Sequence, residues 1–338
     1  VLLSEAVGAT ADPQIPSLGV VLNPIELRKH LKIFTRAPWR WQNLGDVGVR
    51  ALRFHSGRRC TVEIIVCTSA GAQTLVGKVY AQNGLPIYET MRRLSQSGFG
   101  PEAEYSVPTP LAFLAELQFL LQEKVKGESA EELLLTGKER ARISAAERSA
   151  RWLAQFHAAA PKAGLELHLD SYLAALERWS RRVSELGEPF TTKARQLFHR
   201  LELAAAALRP IDMCAGHGDF KPQHVILAGN RTATCDWDRF DVADPWRDVG
   251  RYVIALKRLA LRHLGSLRAL NDAGELFLKT YAATGRPGMD RNLPFHMAAT
   301  CVQLAKYDLS QQATNWREEI AALLDEGLCI LEEGYASV

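Results

Sequence analysis

The sequence predicts an α+β chain with a β-rich N-terminal lobe and a mainly helical C-terminal lobe, and three observations carry that prediction. Its 338 residues exceed what one ordinary core organises. Short β-prone runs separated by turn residues fill the stretch from residue 47 to about residue 125. Beyond it the apolar period lengthens to that of helices, interrupted by one polar hairpin. The expected division is a leader and accessory helix over 1–46, an N-terminal lobe over 47–125 and a C-terminal lobe over 126–338.

Residues 1–20 combine Gly, Ala, Ser and Pro without a sustained period, so a loosely held leader is expected. Asn23, Pro24 and Glu26 then spell an N-cap, a first-turn proline and a capping-box acid for a helix reaching about Ile33. Three strands follow over 49–54, 60–67 and 74–80, joined by His55-Ser56-Gly57-Arg58-Arg59 and by Thr68-Ser69-Ala70-Gly71-Ala72, an antiparallel meander. The third strand ends in Gly77-Lys78-Val79-Tyr80. A helix over 86–95 carries Glu89 and stops before Gly98-Phe99-Gly100-Pro101. Alone, a strand lysine is an ordinary solvent-facing residue. A lysine strand followed by a glutamate helix is also the arrangement in which an ion pair sets an ammonium against phosphate oxygens.

Two more strands are expected over 111–118 and 119–125, the second running through Glu123 and Val125 to a lobe boundary near Gly127. Helices follow over 130–135, 144–160, 169–186 and 190–207, with His157 read as a core histidine near the end of the second. Val225 to Leu227 and Thr232 to Cys235 form a hairpin around Ala228-Gly229-Asn230-Arg231. Asp244-Pro245-Trp246-Arg247-Asp248 opens a capped amphipathic helix, and at least three helical pieces complete the chain, with a break at Gly285 to Gly288. The last piece carries Glu318, Glu319, Asp325, Glu326, Glu332 and Glu333, a solvated face or a surface suited to a polycationic ligand.

Composition narrows the function classes. Hydrophobic content of 47% with 23% charged residues is globular. Lys plus Arg at 41 and Asp plus Glu at 38 leave a formal charge of +3 spread along the chain, so no nucleic-acid partner is expected. The absence of an 18-residue apolar run and of a signal-like N-terminus predicts no membrane partner and a cytoplasmic location. The six cysteines show no metal or CxxC spacing and read as buried thiols in a reducing compartment.

The chemistry concentrates in His217-Gly218-Asp219-Phe220-Lys221-Pro222-Gln223-His224 and Cys235-Asp236-Trp237-Asp238. The hairpin between them holds Asp219 and Asp236 at one end of a small sheet. Phosphoryl transfer needs a carboxylate to orient and deprotonate the acceptor hydroxyl, ligands for a divalent cation and a fixed cation on the phosphates. Asp219, Asp236 and Lys78 fit those needs, with Glu89 orienting the lysine.

These motifs, with Asp244-Pro245-Trp246-Arg247-Asp248, Gly77-Lys78 and Glu123 to Gly127, resemble the aminoglycoside phosphotransferase and choline kinase-like family. The resemblance spans about residues 47–252. It implies a protein kinase-like bilobal fold binding ATP, or another nucleoside triphosphate, in a cleft. It also implies Asp219 as catalytic base, Asp236 as principal Mg²⁺ ligand, Lys78 on the α/β-phosphates paired to Glu89, and Asp248 as a brace for the catalytic loop. Lys221 would reach the transferred phosphate, Ser56 and Gly57 would cover the phosphates, and Glu123 and Val125 would present backbone groups to the nucleotide.

His224 stands where that family most often has asparagine. An imidazole there acts through a water, favours a softer ion such as Mn²⁺, or leaves only one metal well held. The loop Ser56-Gly57-Arg58-Arg59 has one glycine where close backbone approach to phosphate favours several. The expected function is an ATP-dependent kinase acting on a hydroxyl of an aminoglycoside, another sugar-bearing metabolite or an amino alcohol. The alternative is a nucleotide-binding pseudokinase or regulatory module. A protein kinase is disfavoured, because Cys235-Asp236-Trp237-Asp238 replaces Asp-Phe-Gly and no Ala-Pro-Glu closes an activation segment.

Overall fold

A computed structural model describes residues 11–35, 44–69, 71–284 and 290–336, which form two compact units, Val1–Lys126 and Gly127–Val338. The leader's first ten residues and the break at Gly285 to Gly288 lie outside the described residues.

The first unit begins with α1 (Leu18–Leu22) and α2 (Pro24–Leu31), the latter capped by Asn23, whose side chain accepts from the N–H groups of Ile25 and Glu26. The strands are β1 (Val47–His55), β2 (Arg59–Thr68) and β3 (Gly71–Tyr80), followed by α3 (Leu85–Gln96), the short β4 (Tyr105–Ser106), β5 (Pro110–Leu114) and β6 (Phe119–Glu123). Five of them make an antiparallel sheet in the order β1-β2-β3-β6-β5.

Strand alternation sorts this sheet into two faces. Val62, Ile64 and Val66 of β2 with Leu75 and Val79 of β3 turn to one side, where Ile15, Leu18, Val21, Leu27 and Leu31 cover them. Residues 12–22 are therefore part of a core, and the expectation of a loose leader is corrected for them. Their apolar side chains fall three apart, a spacing that Pro13 and Pro16 obscure in the sequence. The opposite face carries Glu63, paired with Arg50 at 2.8 Å and with Lys124, and further along it Lys78.

The expected strand over 111–118 also ends early. After Leu114 the chain makes a 3₁₀ turn over Ala115–Leu117, and Gln118 takes φ +48, a left-handed corner that redirects it into β6. Gly77 has no space for a side chain, since a Cβ would lie 2.3 Å from the buried Phe119 ring. Gly77→Ala is expected to lower stability by about 1–3 kcal/mol through overpacking, read as a lower urea midpoint at unchanged slope.

The second unit opens with β7 (Glu128–Ser129), α4 (Ala130–Thr136), α5 (Glu139–Ala159), α6 (Leu169–Ser184) and α7 (Phe190–Ala206). Ser129 caps α4 by accepting from the Glu132 N–H. Then come β8 (Cys214–Gly216), β9 (Val225–Ala228), β10 (Arg231–Thr234) and β11 (Asp241–Ala243), and finally α8 (Pro245–Leu264), α9 (Asn271–Ala283), α10 (Leu293–Gln311) and α11 (Trp316–Ala336). Asp244 caps α8 by accepting from the Trp246 N–H at 2.8 Å, and Gly265 ends it at φ +74.

Leu176, Leu197, Leu201, Ile254, Val302, Leu323 and Leu324 belong to one core joining α6, α7, α8, α10 and α11. Beneath the polar loop lies an aromatic cluster: Trp152 packs on Phe220 at 5.7 Å and Phe156 on Trp237 at 5.3 Å, while Tyr252 stacks on Phe277 at 4.0 Å. Phe220 follows Asp219 and Trp237 follows Asp236, and both rings are buried. Each such ring stabilises the fold by about 1.5–3 kcal/mol and pins one end of the polar loop.

Candidate active site

Two antiparallel strand pairs set the geometry of the polar loop. β8 lies against β11 with Gly216 opposite Asp241, and the chain leaves β8 directly into His217, Gly218 and Asp219. In the β9–β10 hairpin Val225 faces Thr234, and the Cys235 N–H donates to the His224 carbonyl at 2.9 Å, bringing His224 and Asp236 side by side. Gly218 has φ +76, and a Cβ on it would lie 2.1 Å from the Arg239 carbonyl oxygen, so only glycine fits. Asp236 takes φ +69, a strained conformation of the kind that surrounding structure holds at functional sites.

Asp219 is gripped on both carboxylate oxygens. Its Oδ1 accepts from Nε of Arg251 at 2.9 Å and Nη2 of Arg251 at 2.5 Å, and its Oδ2 accepts from Nζ of Lys221 at 2.9 Å. Burial alone would raise its pKa, but the Arg251 guanidinium and the Lys221 ammonium hold it far below the usual carboxylate range. The group is an anion at neutral pH.

A second buried aspartate holds the loop's backbone. Asp248 accepts from the N–H of His217 at 2.6 Å and of Gly218 at 2.9 Å, with Nε2 of His157 3.5 Å away. Burial works to raise this carboxyl too, yet His157 and Arg247 keep it well below its ordinary value. His157 is a buried core histidine, its Nδ1 2.8 Å from the Tyr281 hydroxyl. His217 accepts from the Asp219 N–H on Nδ1 at 3.3 Å, and its Nε2–H donates to the Cys235 carbonyl at 3.0 Å, which fixes a neutral tautomer.

The same reasoning defines His224. Its Nδ1 lies 3.0 Å from the Asp219 carbonyl oxygen, which only accepts, so Nδ1 carries the proton. Burial, and then the Lys221 charge, lower its pKa to about 3, leaving a neutral ring. Nε2 is then a lone pair facing Oδ2 of Asp236 at 3.3 Å. Two electron-rich atoms meeting there fit a cation between them, and Asp219, His224 and Asp236 offer ligand atoms all within 4.8 Å of one another.

In the first unit, Lys78 is 5% exposed on the sheet face away from the core, so it is a buried strand lysine and not a solvated one. Glu89 does not form the implied pair with it: half-buried on α3, its side chain makes no hydrogen bond or ion pair among the described residues. The buried stripe of that helix runs through Met91 and Leu94, and residue 89 falls on the far side of a 3.6-residue period. The Ser56 hydroxyl and the Gly57 N–H donate to the Asp12 carboxylate at 3.1 and 2.8 Å, because the packed leader brings Asp12 onto their turn. Glu123 uses its side chain to accept from the N–H and hydroxyl of Thr109, each at 3.0 Å. Val125 makes no hydrogen bond among the described residues.

Two expectations about charge also change. Arg251 was invisible as a site residue, although it stands one helical turn beyond Asp248 on α8 and so shares the face that meets the loop. The acids of α11 form ion pairs: Glu319 with Arg262, Asp325 with Lys193, Glu326 with Lys257 and Glu332 with Arg200, at 2.5 to 2.9 Å.

A β-rich unit, then a helical unit bearing a braced aspartate and a second aspartate after a hairpin, make up the protein kinase-like fold. The chain belongs to the phosphotransferase enzyme family, whose model matches residues 74–291. Among solved structures it is similar to a choline/ethanolamine kinase family protein from Mesorhizobium loti, at 14% identity and TM-score 0.60, covering 91% of this chain and 94% of that one. A thermostable mutant of aminoglycoside phosphotransferase APH(4)-Ia, in a ternary complex with AMP-PNP and hygromycin B, is similar at 16% identity and TM-score 0.60 over 90% of this chain and 98% of that one. Amicoumacin kinase hAmiN, in complex with AMP-PNP and Ca²⁺, is similar at 15% identity and TM-score 0.57, over 84% of this chain and 88% of that one. No curated protein matches the chain. Among the described residues no helix is long and apolar enough to cross a membrane.

Proposed function

We propose that this protein transfers the terminal phosphoryl group of ATP to a hydroxyl of a small molecule. The observation that carries this reading is the convergence of Asp219, His224 and Asp236, with Asp219 held as an anion by Arg251 and Lys221. Two similar structures contain AMP-PNP, which supports a nucleoside triphosphate as donor.

In this reading Asp219 orients the acceptor hydroxyl and takes its proton. A carboxylate held so far below its usual pKa is a weak base, so its contribution is mostly orientation, with proton transfer late, as a loose phosphoryl-transfer transition state requires. Lys221 lies on the same carboxylate and neutralises charge on the transferred phosphoryl group. Lys78 takes the α/β-phosphates, and the open backbone groups of Val125 serve the base. Asp236 and His224 Nε2 would hold a divalent cation, which when bound supplies charge neutralisation at the phosphate oxygens.

The test is release of ADP by the purified chain with a hydroxyl-compound panel, against Asp219→Asn as control. Nucleotide binding with no Asp219-dependent turnover on any compound would sink the proposal and leave a binding module. Metal choice gives a separate prediction. His224→Asn is expected to weaken Mn²⁺ binding about tenfold relative to Mg²⁺, read by Mn²⁺ paramagnetic resonance titration, because an imidazole is exchanged for a hard oxygen.

A further inference from the structure

The second unit contains a cavity of about 320 Å³ reached from Gly218 and Arg251, the residues that flank and hold Asp219. That volume is near the lower end of the roughly 300–1,000 Å³ range of ligand pockets, on the scale of one sugar ring and not of a multi-ring antibiotic. One wall is apolar and aromatic, with Leu167, Tyr172 and Trp179.

The other wall is cationic. Arg239, Arg247 and Arg251 line the cavity against a single acid, Asp241, whose two oxygens are both taken by Arg247. Among the lining residues this is three guanidiniums against one carboxylate. Two donors on these arginines have no partner: Nη1 of Arg251, which commits only Nε and Nη2 to Asp219, and Nε of Arg247. Buried guanidinium donors without an acceptor are costly unless something carrying oxygen completes them. None of the α11 acids lines this cavity, and four of them are spent on Lys193, Arg200, Lys257 and Arg262. A polycation would find no uncommitted carboxylate among the lining residues.

We infer that the cavity selects an acceptor carrying an oxyanion, a carboxylate or phosphate, on the same small molecule as the hydroxyl to be phosphorylated. The inference rests on the phosphotransferase reading for its choice of hydroxyl, but not for its charge preference. Arg247 and Arg251 form the oxyanion side, the exposed Arg239 guards the rim, and Tyr172 and Trp179 pack the molecule's carbon skeleton.

The test is calorimetric titration of the full chain, with a non-hydrolysable ATP analogue present. Size-matched compounds form three arms, hydroxycarboxylates, sugar monophosphates and amino sugars, with uncharged sugars as reference. One anionic arm is expected to bind at least about tenfold tighter than the reference, with Arg251→Gln removing most of that factor and Arg239→Gln a smaller part of it. Which anionic arm leads identifies the oxyanion. Tightest binding by the amino sugars, or no anionic compound above the reference, overturns the inference. So does an anion preference unchanged by both Arg239→Gln and Arg251→Gln. ADP release is scored separately: anion-selective binding with no turnover refutes the phosphotransferase reading while upholding the cavity, and turnover confined to amino sugars does the reverse.

Discussion

Asp219→Asn is expected to reduce turnover by about 10³-fold while leaving a folded protein. General-base and orienting carboxylates contribute roughly 10²–10⁴-fold. The amide keeps an oxygen for one donor but loses the charge that both Arg251 and Lys221 face. Removing one partner of a buried ion pair costs up to about 3–5 kcal/mol, so the variant is also expected to melt earlier. The two effects separate cleanly. Activity is measured at a temperature where circular dichroism shows the variant folded, and a loss that tracks only the unfolded fraction would assign Asp219 a structural role. Arg251→Gln makes the complementary case: it frees the carboxylate to rise toward its ordinary pKa, and a milder loss with a pH–rate profile shifted upward is the expected signature.

The sequence carried the meander, the helix caps and the loop sequence well, because each rests on local chemistry. Asn23 before Pro24, Asp244 before Pro245 and Gly229 in a tight turn act on neighbours two or three residues away. What it did not carry were facts that depend on which side of an element meets which distant partner. Glu89 follows the lysine strand in order, but its face on α3 is set by where Met91 and Leu94 bury. The acids of α11 look like a ligand surface until α7 and α8 bring in cations: Lys193 is 132 residues from Asp325, and Arg262 is 57 from Glu319. Arg251 escaped for a related reason. Its role exists only because Asp248, three residues earlier, turns the same helical face toward the backbone of His217 and Gly218. Arg247 and Arg251, which line the cavity, come from that same helix.

Asp248→Ala is expected to damage the site without touching any reacting group. It would strip acceptors from the N–H groups of His217 and Gly218 and remove the counter-charge near Arg247, 3.9 Å away. Unsatisfied buried donors cost about 1–3 kcal/mol each, so the two N–H groups together imply a loss of roughly 2–6 kcal/mol, while Arg247 keeps its pair with Asp241. Asp248→Asn, which retains one acceptor oxygen, should recover part of it. Acid supplies an independent measure. The carboxyl's pKa is lower in the folded chain than in the unfolded one, so its stabilisation is complete above about pH 4 and is lost as pH falls through the folded value. Urea midpoints of the wild type should therefore fall on acidification below that point, and those of Asp248→Asn should fall less steeply. Parallel slopes would mean that Asp248 is not the group being protonated. Activity links the brace to the chemistry: Gly218 at φ +76 admits one backbone path, so a slack loop displaces Asp219 directly. A displacement of about 1 Å costs on the order of 10²-fold in rate. Asp248→Asn is thus expected to lower kcat with little change in KM for ATP, the pattern of a positioning residue that acts through Asp219 and contacts no nucleotide.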